Sequence, residues 1–96
     1  MMDEYKPGQL VRSLAGRDKG EHYLVIEVLG PRYVLLANGR SRPLSRLKKK
    51  NIAHLQRYNR RADILDLLNA QKLTDSQVVR LIKELAPRDD VSRQEV

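Results

Sequence analysis

Two cations, Arg17 and Lys19, flank one acid, Asp18, in a loop bracketed by Gly16 and Gly20. Glycines at those positions let a short loop turn sharply and turn its charged side chains outward. Cations presented this way contact phosphate oxygens. A second basic stretch lies downstream. Residues 40–50, RSRPLSRLKKK, carry six cations (Arg40, Arg42, Arg46, Lys48, Lys49 and Lys50) and no acid. Such a run reads as a solvated linker, a nuclear-import signal or a phosphate-gripping arm. The charge distribution favours the arm. Residues 1–58 hold 12 Lys and Arg against 5 Asp and Glu, and residues 59–96 hold 7 against 7, so the formal net charge of +7 belongs to the first part alone. Segregated charge points to an anionic partner for one module rather than to general solubility. A polybasic membrane patch fits less well, because no lipid-anchor motif or aromatic-faced amphipathic helix adjoins the run.

Other chemistries find little support. The chain has no cysteine, which removes disulfide staples and thiolate metal sites. His22 and His54 stand far apart in sequence, without a paired acid, so no metal is expected. Ser13, Ser41, Ser45 and Ser76 occupy ordinary strand, loop or cap contexts, and no nucleophile–base pair stands out. The GRDKG loop lacks the spacing of a nucleotide-binding P-loop. Asp18 and Glu21 read as charge partners of Arg17 or Lys19, each exposed pair contributing little. The expectation is a protein that is not an enzyme and uses no cofactor. The only aromatics are Tyr5, Tyr23, Tyr33 and Tyr58. Tyr23 and Tyr33 could stack on bases, but a strand tyrosine is more often core with its hydroxyl at the rim. Recognition by charge and shape therefore fits better than a single-strand stacking platform.

These residues need a scaffold. Pro7-Gly8 opens as a turn, and residues 9–13 read as a short strand. Residues 23–29 form a run of β-branched and large apolar residues, expected as a central strand. Gly30-Pro31-Arg32 supplies a turn and residues 33–37 the next strand. Asn38-Gly39 is a strong hairpin signal, with residues 40–44 as the returning strand and Pro43 near a sheet edge. Residues 52–55 are expected as one more short strand. Four or five short strands in about fifty residues predict a small antiparallel barrel or half-barrel. The unbroken apolar run of the central strand implies that both its faces are covered. The period then changes. Ile64, Leu67 and Leu68 predict a helix over 61–71. Thr74 and Gln77 form a capping box ahead of a second helix carrying Val78, Leu81, Ile82 and Leu85, ended by Pro87. The short link predicts an antiparallel helical hairpin, packed on the barrel or on a partner. The expected division is residues 6–58 for the β module with its basic arm, 59–87 for the hairpin and 88–96 for a polar, disordered tail.

Gly8, Val11, Gly16, Asp18, Lys19 and Gly20, followed by an apolar strand, resemble a KOW motif. The whole stretch VRSLAGRDKGEHYLVIEV is similar to the opening of KOW-containing large-subunit ribosomal proteins of the L14e/L27e kind and of small bacterial RNA-binding proteins like them. The resemblance covers residues 8–55. It implies a mainly β fold, an SH3-like barrel, here extended by the C-terminal two-helix hairpin that the simplest pattern lacks. It also implies RNA binding, with ribosomal RNA or the ribosome as partner. The glycines, Val11 and Asp18 would shape the loop. Arg17, Lys19, Arg40, Arg42, Arg46 and Lys48 to Lys50 would contact RNA, the arm resting on the charge argument alone. Phosphate contacts by themselves do not separate RNA from DNA. The alternative is a protein-binding adaptor using the barrel or the amphipathic hairpin. The acidic, polar start lacks the pattern of a secretory signal and no apolar run approaches a membrane span, so the expected location is the cytoplasm.

Overall fold

The computed structural model describes residues 4–87; the expected tail over 88–96 lies outside the described residues. Five strands form one antiparallel sheet: β1 (Gln9–Ser13), β2 (His22–Val28), β3 (Tyr33–Ala37), β4 (Lys48–Asn51) and β5 (Leu55–Arg61). Their spatial order is β4-β3-β2-β1-β5. The first four strands run as a meander, and β5 returns to pair with β1, with Val11 opposite Arg57 and Ser13 opposite Leu55. The sheet is open, with β4 and β5 as its edges. Helices α1 (Leu65–Asn69) and α2 (Asp75–Leu85) follow.

The run Tyr23-Leu24-Val25-Ile26 is buried throughout because β2 has a core on each face. On one face Tyr23 and Val25 meet Val11, Val34, Leu36 and Leu55. Leu55 of β5 joins Val34 and Leu36 of β3 in that cluster, so the sheet is strongly curled. On the other face Leu24 and Ile26 meet Ala37, Ile64 and Val78, with Leu68, Leu81, Ile82 and Leu85 packed around them. The helical stripe therefore closes over the outer face of the chain's own sheet. Burying such a stripe, rather than intrinsic propensity, is what holds short helices.

Three expectations need correction. Residues 40–44 do not form a returning strand. The Asn38 carboxamide oxygen accepts from the backbone N–H groups of Arg40 and Arg42, both at 2.9 Å, and Asn38 N–H bonds back to the Arg42 carbonyl. This side-chain capture closes a compact loop where a hairpin ladder was expected. The chain regains the sheet only at Lys48, and β4 is the lysine run itself. Residues 52–54 are not a strand but a 3₁₀ turn, capped by the Asn51 side chain on Ala53 N–H. The true fifth strand begins at Leu55. Because β5 then extends to Arg61, and Ala62 N–H bonds to the Gly8 carbonyl, the first helix cannot start at 61. It is confined to Leu65–Asn69 and ends where Gln71 adopts φ +56°. The second helix matches its expected signals: Thr74 and Gln77 form the reciprocal capping box, and Ala86 leaves helical geometry just before Pro87.

Entry into β1 depends on close backbone approach. Gly8 has φ +92°, and a Cβ there would stand 1.8 Å from the Ala62 carbonyl oxygen. Gly8→Ala is expected to cost more than about 2 kcal/mol, lowering the thermal midpoint by roughly 10 °C or more. An unchanged midpoint would contradict that approach. Beside it, a register irregularity separates Gln9 and Val11 along β5. The buried Gln9 side chain donates to the Tyr58 and Arg60 carbonyls, satisfying acceptors that the interrupted ladder leaves over.

Candidate nucleic-acid interface

The loop joining β1 to β2 is built around the Asp18 carboxylate. Ser13 Oγ donates to Oδ1 at 2.8 Å and the Tyr23 hydroxyl to Oδ2 at 2.8 Å. Lys50 Nζ reaches Oδ1 at 3.1 Å and the Ala15 carbonyl at 3.1 Å, and Lys48 Nζ lies 3.8 Å from Oδ2. Backbone bonds complete the turn, from Gly20 N–H to the Ser13 carbonyl and from Glu21 N–H to the Asp18 carbonyl. Gly16 and Gly20 take φ +86° and +95°. A Cβ at Gly20 would meet nothing within 4 Å, so glycine is needed there for backbone conformation and not for space.

Partial burial pushes the Asp18 pKa up, but the hydrogen bonds from Ser13, Tyr23 and Lys50 and the charge of Lys50 outweigh it and hold the carboxyl at about 2. Burial, followed by the Asp18 carboxylate itself, raises the Tyr23 hydroxyl well above its ordinary value, with Arg42 pulling the other way. Tyr23 is thus a core residue with its hydroxyl engaged, and does not offer a face to a base. Tyr33 is 38% exposed, with Lys49 Nζ 4.7 Å from its ring centroid.

Asp18 was expected to pair with Arg17 or Lys19. It pairs instead with lysines some thirty residues away. The reason is the alternation of β4: Lys48 and Lys50 lie opposite Leu36 and Val34 and share their face, while Lys49 points the other way. The three lysines are therefore not equivalent. Lys50, with its side chain 12% exposed, is committed to the loop; Lys48 is partly committed; Lys49 is exposed. Pairing Asp18 inward removes the acid from between Arg17 and Lys19, both of which remain exposed. Val11, the remaining residue of the motif, is fully buried in the core below the loop.

The rest of the basic segment lies at the same end of the sheet. The charge of Arg42 is felt at the Tyr23 hydroxyl, and Arg40 lines a cavity together with Glu21 and His22. Arg46 is exposed, its Nη2 3.4 Å from the Ser41 carbonyl. The loop 39–47 is tied down by Asn38 and by Asp75, whose Oδ1 accepts from Leu44 N–H at 2.8 Å. The 15–20 loop, with Arg17 and Lys19, and the 39–47 loop, with Arg40, Arg42 and Arg46, thus leave the same end of the sheet, where Lys48 begins β4. Nothing in the sequence singled out Lys50 as the partner of Asp18, or Gln9 as a ladder substitute; only the period-two alternation of a correctly placed β4 could have separated Lys49 from its neighbours.

Among the described residues, no group of three or more His, Asp or Glu side chains is placed to hold a metal ion, and no helix is long and apolar enough to cross a membrane. The chain matches no protein-family model, and no curated protein matches it.

Proposed function

We propose that the protein is a cytoplasmic RNA-binding protein that associates with ribosomal RNA or the ribosome, gripping the phosphate backbone with the 15–20 loop and the basic segment 40–50. The observation that carries this reading is the inward commitment of Asp18. It leaves Arg17 and Lys19 exposed at the end of the sheet from which the 39–47 loop with Arg40, Arg42 and Arg46 also departs, with their neighbouring acid neutralised by Lys50. Cations clustered on one end of a small domain form the electrostatic footprint expected of nucleic-acid binding. The meander with β5 returned beside β1, and the curl that gathers Leu55 with Val34 and Leu36, support an SH3-like barrel of the KOW kind. The glycine-bracketed turn at 16–20, leading from β1 into the apolar strand β2, is a further support for the KOW reading. An adaptor reading through the hairpin is weakened, because Val78, Leu81, Ile82 and Leu85 pack on the sheet.

Co-sedimentation with ribosomal subunits tests the proposal. The protein is expected to pellet with subunits at about 50 mM salt and to be released at about 500 mM, as an ionic grip on phosphates requires. Failure to pellet at either salt, or pelleting that survives nuclease digestion and high salt alike, would count against it.

A further inference from the structure

A cavity of about 490 Å³ opens beside the cationic surface, between Glu21 and His22 at the start of β2, the Asn38–Arg40 turn, and Val79, Ile82, Lys83 and Ala86 of α2 and its cap. Its size falls in the range of small-ligand sites. The turn is pressed onto the helix: a Cβ on Gly39 would lie 2.5 Å from the Asp75 carbonyl oxygen and 2.8 Å from Val79 Cγ2. The cavity begins one helical turn further on. Val79 and Ile82 give it an apolar wall, while Arg40 from the turn and Lys83 from α2 contribute two exposed cations and Glu21 adds one exposed carboxylate. Asn38 positions the Arg40 backbone, since its carboxamide oxygen accepts from the Arg40 and Arg42 N–H groups.

That combination selects a ligand with three properties: an anion for the two cations, a flat face for the apolar wall, and a donor edge for the carboxylate. We propose that the cavity takes a single unpaired guanosine nucleotide, with its phosphate between Arg40 and Lys83 and the N1–H and 2-amino group of its base donating to Glu21. Guanine alone among the four RNA bases offers two adjacent donors of this kind on its Watson–Crick edge. An unstacked base of this sort is the usual target of sequence-specific RNA recognition. The inference rests on the RNA-binding reading for its biological ligand and adds α2 to an interface otherwise made by loops.

The test uses free nucleotides and the full chain. Guanosine 5′-monophosphate, inosine 5′-monophosphate and adenosine 5′-monophosphate are titrated while backbone amide resonances are followed. The guanine nucleotide is expected to perturb Glu21, His22, Arg40, Val79, Ile82 and Lys83. It should bind at least about fivefold more tightly than the inosine nucleotide, which lacks the 2-amino donor. Glu21→Gln should erase that preference, and Lys83→Ala should weaken all three nucleotides together. Equal affinities for the three nucleotides, or shifts confined to the 15–20 loop, would overturn the guanosine site. Because no RNA is present, that failure is separable from failure of the ribosomal reading, which subunit co-sedimentation reports on its own.

Discussion

Asp18→Asn is expected to lower the thermal midpoint by on the order of 10–20 °C, the size of effect that about 3 kcal/mol has on a domain of this length. The carboxylate accepts from Ser13 and Tyr23 and pairs with Lys50, whose side chain is only 12% exposed. A neutral amide leaves that ammonium without its counter-charge and cannot accept on both of its atoms. Removing one member of a partly buried pair costs more than the pair contributes, because the survivor stays desolvated and unmatched. The same carboxylate gives stability a specific pH dependence. Its pKa is depressed from 3.8 to about 2 in the folded protein. The folded state therefore binds fewer protons than the unfolded chain between those values, and the stabilisation of about 2 kcal/mol is fully present above roughly pH 5. It is lost as pH falls through 4 toward 2. Denaturant titrations across that range should show this loss in the wild-type protein and a shallower one in Asp18→Asn. Parallel acid profiles in the two proteins would remove Asp18 from its central place in the loop.

The fourfold variant Arg17→Ala, Lys19→Ala, Arg40→Ala, Arg42→Ala should lose on the order of 100-fold in affinity for structured ribosomal RNA, at roughly 0.7 kcal/mol per cation. Its fold should survive, since Arg17, Lys19 and Arg40 are exposed and the turn that carries Arg40 and Arg42 is closed by their backbone N–H groups on Asn38. Lys50→Ala makes the informative contrast. It deletes a single positive charge, and one directed inward at Asp18 and the Ala15 carbonyl. Its main cost should fall on thermal stability. The two variants together separate cations that shape the loop from cations left free to meet a ligand, a distinction that counting charges along residues 40–50 cannot make.

The β elements with strong apolar signals were legible in the sequence. Residues 9–13, 23–28 and 33–37 are strands because β-branched and large apolar side chains suit a surface buried on both sides. The capping box at Thr74 was legible because it needs only local spacing. One failure is local, and the others come from long-range strand pairing. Asn38-Gly39 reads as a hairpin, yet Asn38 spends its carboxamide on the loop beyond. The Lys48-Lys49-Lys50 run reads as a solvated arm because lysine is depleted in strands. It forms an edge strand all the same, a place where lysine is tolerated and discourages further pairing. The helix predicted over 61–71 was shortened because β5 runs on to Arg61 beside Gln9. At the candidate site, the glycine-bracketed loop and its two outward cations were readable, whereas the pairing that sets them outward depends on a lysine 32 residues away.

The salt dependence of binding to structured ribosomal RNA tests whether one cationic end of the sheet grips RNA phosphates. For about five phosphate-contacting cations, log K should fall against log salt with a slope on the order of −3 to −4, and the fourfold alanine variant should flatten that slope by about 3. Lys50→Ala should leave the slope nearly unchanged. A flat dependence in the wild-type protein, or an undiminished slope in the fourfold variant, would contradict the account.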